Sequence, residues 1–160
     1  MKTPIIRAIE RPRIIPSLVA IGLVSFAFKT LAQLNDWALS FLLGYLFITA
    51  YRFLVRFTLT KYHAKGIRMM KAGRFHEAID AFQESFGFFD KYSFLDRWRS
   101  FVFLMPGKYD YKEMALLNLG YIYGQIGEGH SAEEVYKKCL DLYPNNGIAE
   151  SALNLLNSKT

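Results

Sequence analysis

Two uncharged apolar runs constrain this chain more than any other feature. They are "IIPSLVAIGLVSFAF", from Ile14 to Phe28, and "WALSFLLGYLFITAY", from Trp37 to Tyr51. Each is fifteen residues long, which as helix spans about 22 Å against a hydrocarbon core of roughly 30 Å. Both continue past isolated cations. The first goes on through Leu31, Ala32 and Leu34 beyond Lys29, and the second through Phe53, Leu54, Val55 and Phe57 around Arg52 and Arg56. Long basic side chains near a helix end bury their stems and carry the charge to the headgroups. Pro16 suits a first helical turn, where a missing N–H costs little. The runs are therefore read as two short transmembrane helices, 14–34 and 37–57, with Trp37, Arg52 and Arg56 at the membrane interface. Two buried helices of a soluble bundle are the competing reading, because each uninterrupted run falls below roughly eighteen residues. Apolarity on every face argues against half-exposed helices. A signal peptide also pairs a basic start with a short apolar core. Here "TLA" before Gln33 makes a weak cleavage site, and a second apolar run follows at once.

Charge supports the membrane reading and orients it. The net charge of +6 divides unevenly: residues 1–71 carry eleven Lys/Arg and two acids, and residues 72–160 carry nine against twelve. Cations flank the apolar runs, at Lys2, Arg7, Arg11 and Arg13 before the first and at Lys61, Lys65, Arg68 and Lys71 after the second. Only Lys29 and Asp36 lie between the runs. Basic residues stay on the cytoplasmic side. The expectation is a basic cytoplasmic tail over 1–13, a tiny external turn near Asn35, and both termini in the cytoplasm, with a bacterial inner membrane as the favoured location. The single cysteine, Cys139, rules out an internal disulfide framework.

Behind the apolar third the sequence repeats itself. With Gly66 aligned on Gly120, Ala78 falls on Ala132, Phe82 on Tyr136 and Ser85 on Cys139. "KAGRFHEA" and "QIGEGHSA" share a register in which Gly73 and Gly127 coincide. Two antiparallel helices approach closely only where side chains are small. Gly120 and Ala132 are expected to supply that contact, with Tyr123 and Tyr136 filling the space beside it. The pattern resembles the tetratricopeptide repeat, a helix–turn–helix of about 34 residues. Leu116, Leu119, Gly120, Tyr123, Ala132, Tyr136, Cys139 and Pro144 match the family signature over 113–146. Tyr62, Gly66, Ala78 and Phe82 match it over 58–92, which departs from the pattern at Lys65 and Asp90. The resemblance implies an all-α solenoid of two repeats, and "GIAESALNLL" within 147–160 reads as a capping helix. Ser131 with Glu134, and Asp110 with Glu113, are spaced as capping boxes. No Gly or Pro separates the second apolar run from the first repeat, so one continuous helix from Trp37 to about Ala72 is expected, holding the repeats rigidly against the membrane.

An aromatic insertion over 93–112 separates the repeats. Phe94, Leu95, Trp98, Phe101, Val102 and Met105 follow helical spacing, with Ser93 and Asp96 as a candidate N-cap and Pro106-Gly107 as an end. Three readings stay open: a helix that completes the core, an interfacial helix with Trp98 in the headgroup layer, or a built-in occupant of the repeat groove.

Nothing in the sequence points to catalysis. His63, His76 and His130 lack a ligand spacing, His130 falls in a turn, Cys139 sits at a small packing position, and "GEG" reads as a helix–helix turn. No enzyme activity, metal or cofactor is expected, and the acidic repeat half lacks the basic stripe nucleic acid requires. By resemblance, the first helix of the stronger repeat lines a concave groove with Met114, Leu117, Tyr121 and Gln125, and Asn118 beside them. Family members that grip a terminal carboxylate use Lys, Arg and Asn from several repeats; here only Asn118 matches. The apolar, aromatic groove suits an amphipathic helix or an extended apolar peptide. The expected role is a membrane-anchored, non-catalytic adaptor, scaffold or assembly factor that holds a protein partner at the cytoplasmic face. The alternative is a structural accessory subunit of a larger membrane complex, contacting it through the hairpin, whose small residues Gly22, Ser25, Ala27, Ser40 and Gly44 permit close packing.

Overall fold

The structure, a computed structural model, describes residues 15–34, 36–98 and 109–158. The basic tail over 1–13, Asn35 and the second half of the insertion, including Phe101, Val102, Met105 and Pro106-Gly107, lie outside the described residues. The described residues form eight helices and fall into two compact units, one spanning 15–60 with 97–98 and the other 61–96 with 109–158.

The first unit is a hairpin of α1 (Ile15–Leu31) and α2 (Trp37–Leu59). Asp36 caps α2 by accepting from the Ala38 N–H at 2.8 Å, as an N-cap carboxylate does. Lys29 Nζ donates to the Leu34 carbonyl at 3.3 Å and lies 4.4 Å from the centre of the Trp37 ring. The two helices meet through small residues. Ser25, Ser40 and Gly44 are buried, and a Cβ on Gly44 would lie 2.9 Å from the Ser25 backbone nitrogen. Gly22, in contrast, has nothing around it. Large apolar side chains point outward along both helices, among them Leu23, Phe26, Leu42, Phe53 and Phe57. Among the described residues one helix, α2, is long and apolar enough to cross a membrane, with 23 residues and a mean hydropathy of 1.7. α1 is apolar and has 17 residues among those described, about 25 Å, so of the two helices read as spans from the sequence one has the length and hydropathy to cross a membrane.

The helix expected to continue from Trp37 to Ala72 is interrupted. α2 ends at Leu59 and α3 (Lys61–Lys71) begins two residues later. Thr60 between them leaves helical geometry at φ −105° and ψ 14°. Its hydroxyl donates back to the Arg56 carbonyl at 2.6 Å, a bond that competes with the helical ladder.

The second unit stacks helices in chain order. α3 packs on α4 (Phe75–Lys91), α4 on α6 (Tyr111–Gln125), α6 on α7 (Gly129–Leu142) and α7 on α8 (Gly147–Asn157), with the short α5 (Ser93–Arg97) between α4 and α6. Both helix pairs turn on the same device. Gly73 and Gly127 adopt φ +74° and +84°, open to glycine without cost. The next N–H closes back on the helix, Arg74 on the Met69 carbonyl at 3.0 Å and Glu128 on the Tyr123 carbonyl at 2.9 Å, which is the Schellman arrangement. One apolar cluster joins α3, α4 and α6 through Met70, Phe82, Leu119 and Ile122; the other joins α6, α7 and α8 through Leu116, Leu117, Tyr136, Cys139 and Ala149.

The glycines of the repeated pattern act differently from the expectation. A Cβ at Gly120 would fall 2.6 Å from the Tyr136 ring, and one at Gly66 would fall 2.9 Å from the Phe82 ring. Each glycine makes room for the aromatic four residues beyond the aligned alanine. Ala132 and Ala78 are fully buried nearby, but the close approach is glycine to ring.

Candidate functional site

The polar anchors of α6 and α8 set the shape of the site. Asp110 and Glu113 form a capping box at the start of α6, with the Asp110 N–H donating to Glu113 Oε2 at 3.3 Å. Asp96, expected from the sequence to belong with Ser93 to an N-cap, is 4% exposed. Its carboxylate accepts from the N–H groups of Tyr111 at 2.8 Å and Lys112 at 2.9 Å. It thus satisfies two donors at the N-terminus of α6, where negative charge is favoured. Asn146 performs two tasks at once. Its Oδ1 caps α8 by accepting from Ile148 and Ala149, and its Nδ2 donates to Glu113 Oε1 at 2.7 Å across the buried junction.

The second capping box predicted from sequence does not form. α7 starts at Gly129, so Ser131 lies inside the helix and donates to Glu128 at 3.1 Å, and His130, expected in a turn, occupies the first helical turn. Ala149 of α8 is fully buried, Ala152, Leu153 and Leu156 pack against α6 and α7, and Ile148 stays 36% exposed at the edge.

These helices leave an open apolar cleft of about 210 Å³. α6 contributes Gly120, Tyr121, Gly124 and Gln125, α7 contributes Ala132 and Tyr136, and α8 contributes Ala152, Leu155 and Leu156. Of the five groove residues named from the sequence, Tyr121 and Gln125 line this cleft. Met114 is half-buried. Leu117 and Asn118 are 0% and 1% exposed; Leu117 is part of the second apolar cluster, and Asn118 Nδ2 bonds the Met114 carbonyl at 2.7 Å. Leu155, unremarked in the sequence reading, is 65% exposed at the rim. Its helical offset from Ala152 and Leu156 was the available signal. Trp37 and Trp98 are half-exposed, Arg56 is exposed and Arg52 is partly buried.

The cleft has the size of one or two side chains, below the roughly 300–1,000 Å³ typical of small-molecule sites. Its lining offers hydrogen-bonding groups only at Tyr121, Gln125 and Tyr136. Burial pushes the Tyr136 phenol up to about 12, with Cys139 and Tyr121 adding to the shift. Among the described residues no group of three or more His, Cys, Asp or Glu is placed to hold a metal. His63 is buried, 3.3 Å from Ser85 Oγ and edge-on to Phe82 and Tyr111. Cys139 is fully buried, and burial, with the Glu113 charge, pushes its thiol up to about 12. An inert thiol follows: Cys139 of the native chain stays unlabelled by a thiol reagent at pH 8 and labels once denaturant opens the repeat unit.

Residues 115–146 match the tetratricopeptide repeat family, covering α6 from Ala115, the Gly127 turn, α7 and the chain to Asn146. No curated protein matches the chain. The segment carrying most of the cleft is thus a tetratricopeptide repeat within an all-α chain, and such a repeat points to a protein partner.

Proposed function

We propose that this chain is a non-catalytic, membrane-anchored interaction module whose cleft grips an apolar side chain of a helical or extended peptide. The observation that carries this reading is the open apolar cleft between α6, α7 and α8, built largely from the matched repeat. Its size admits anchor side chains of a peptide, and preformed apolar pockets are where interface anchors seat. α3 and α4 are the first repeat of the pair. The Gly73 turn and the packing of Gly66 on Phe82 support that assignment, since both reproduce the geometry of the matched repeat.

The anchor is the hairpin of α1 and α2. The support is the length and hydropathy of α2, of which only 17% is buried along its most apolar stretch, together with the cations that flank the hairpin. Both termini face the cytoplasm, in our reading that of a bacterial inner membrane. Confinement to a thin layer then raises the effective concentration of any partner held at the same membrane. A reporter fused after Thr160 is active on the cytoplasmic side; activity confined to the outer side overturns the topology.

A photo-crosslinker replacing Tyr121 tests the cleft. It captures a discrete protein from native membranes, and Gly124→Trp, which fills open space beside Tyr121, lowers the yield by roughly ten-fold or more, the weight of one anchor contact. A yield unchanged by Gly124→Trp removes the cleft from the mechanism. The alternative, a structural subunit of a membrane complex, now rests on the outward-facing Gly22, because Ser25, Ser40 and Gly44 are consumed inside the hairpin. Capture from position 22 and none from position 121 favours that subunit.

A further inference from the structure

The outer face of α3 carries cations without acids. Lys61, Lys65, Arg68 and Lys71 are all exposed, and α3 contains no Asp or Glu. Lys61, Lys65 and Arg68 follow the i, i+4, i+7 spacing that aligns side chains along one helix face. The opposite face, with His63, Gly66, Met69 and Met70, is buried. Among the described residues none of the four cations is in an ion pair. Lys61 also stands at the N-terminal end of the helix, where the macrodipole disfavours positive charge. No carboxylate among the described residues pairs with it, and the remainder of the sequence, 72–160, is net acidic.

Aromatic rings gather where α3 begins. Tyr62 lies 6.4 Å from Phe88, and Phe88 lies 5.1 Å from Tyr92. Lys61 Nζ sits 4.7 Å from the Tyr62 ring and Lys91 Nζ 5.4 Å from the Tyr92 ring. Tyr92 is 39% exposed. Tyrosine rings with a polar tip beside lysines are the composition of a membrane–water interface. Asp90, the acid nearest in sequence to Lys91, is engaged by Lys112 at 2.8 Å. Only Thr60 separates Lys61 from the apolar α2, so the start of α3 is joined directly to any membrane span that α2 makes.

We infer that the basic face of α3, with Tyr62 and Tyr92 at its N-terminal end, docks on an anionic lipid surface. The inference rests on the membrane reading of α2. Charge complementarity and continuity with α2 select lipid over a soluble acidic partner. Each Lys or Arg near an anionic surface favours the docked state roughly five-fold at physiological salt. The role goes beyond setting topology: docking fixes which side of the repeat unit faces the bilayer.

Full-length chain in lipid nanodiscs tests this. A single environment-sensitive fluorophore is placed at Ala64→Cys, an exposed position among the cations. Asp80→Cys serves as the aqueous control and Phe53→Cys as the control on α2, while the buried Cys139 takes up no label. In discs of phosphatidylcholine with about one-third phosphatidylglycerol, the label at 64 is shielded from acrylamide relative to the label at 80, and high salt or pure phosphatidylcholine abolishes the shielding. Lys65→Glu with Arg68→Glu shifts the docking equilibrium by more than about a hundred-fold, the effect of losing two attractions and adding two repulsions, and exposes position 64. Brominated lipid quenches the label at 53 throughout. Quenching at 53 with position 64 exposed in anionic discs overturns the docking alone. Shielding at 64 that persists in pure phosphatidylcholine overturns it too and assigns the face to protein contact. Loss of quenching at 53 overturns the membrane reading, and the docking with it.

Discussion

Asn146→Ala lowers the stability of the repeat unit by about 3 kcal/mol, measured by denaturant unfolding of the full chain in mild detergent. Two terms add. The side chain caps α8 through two N–H groups, and removing an N-cap costs about 1 kcal/mol. It also gives Glu113 Oε1 a buried donor at 2.7 Å, and a hydrogen bond to a charged group contributes about 1.5–3 kcal/mol. Asn146→Asp separates the terms. It keeps the cap acceptors but sets a second carboxylate against Glu113, so its loss equals or exceeds that of the alanine variant. A loss of about 1 kcal/mol for alanine and none for aspartate would reduce Asn146 to a simple cap. Because α8 forms one wall of the cleft, Asn146→Ala also weakens capture from position 121 without touching a lining residue.

Weakened acidities add a pH dependence to the same unit. Cys139 and Tyr136 both hold their protons more tightly in the fold than in the open chain, where they titrate near 9 and 10. Their contribution is therefore complete below about pH 9 and is lost as pH climbs toward about 12.

What could be seen in the sequence was periodic and local. The Gly66/Gly120 register, the coincident turn glycines and the apolar runs are patterns within one or two helices, and periodicity reports those directly. What escaped depends on partners distant in sequence. Asp96 reaches N–H groups fifteen and sixteen residues away, and Asn146 reaches Glu113 across thirty-three. An acid followed by aromatics, or an Asn after a proline, signals only a local turn. Leu117 and Asn118 were assigned to the groove by resemblance, but burial depends on what packs around each side chain, and Leu117 lies inside the second apolar cluster. The interruption at Thr60 has no Gly or Pro to announce it. The α7 start moved to Gly129 because the Gly127 turn closes on Tyr123 and lets the helix begin at once, which a capping-box spacing cannot reveal.

Gly66→Ala costs about 2 kcal/mol of stability, and Gly120→Ala costs less than about 1, although the added Cβ at Gly120 makes the closer approach, 2.6 Å against 2.9 Å. Alanine is worth about 1 kcal/mol over glycine in a helix interior, so each substitution begins with a gain that the clash must exceed. Overpacking a core costs about 1–3 kcal/mol when the neighbour cannot yield. The Phe82 ring is 0% exposed and has the His63 ring edge-on at 5.3 Å, so it has no space to enter. The Tyr136 ring lines the cleft and can swing into it. The stability of Gly120→Ala is thus kept at the expense of the binding space, and capture from position 121 falls while the denaturation midpoint hardly moves. Gly66→Val raises the loss to about 3 kcal/mol, since a branched side chain meets the same immobile ring. Equal losses at the two glycines would mean that the cleft is not open to Tyr136, and the assignment of that space to a partner's side chain would fall with it.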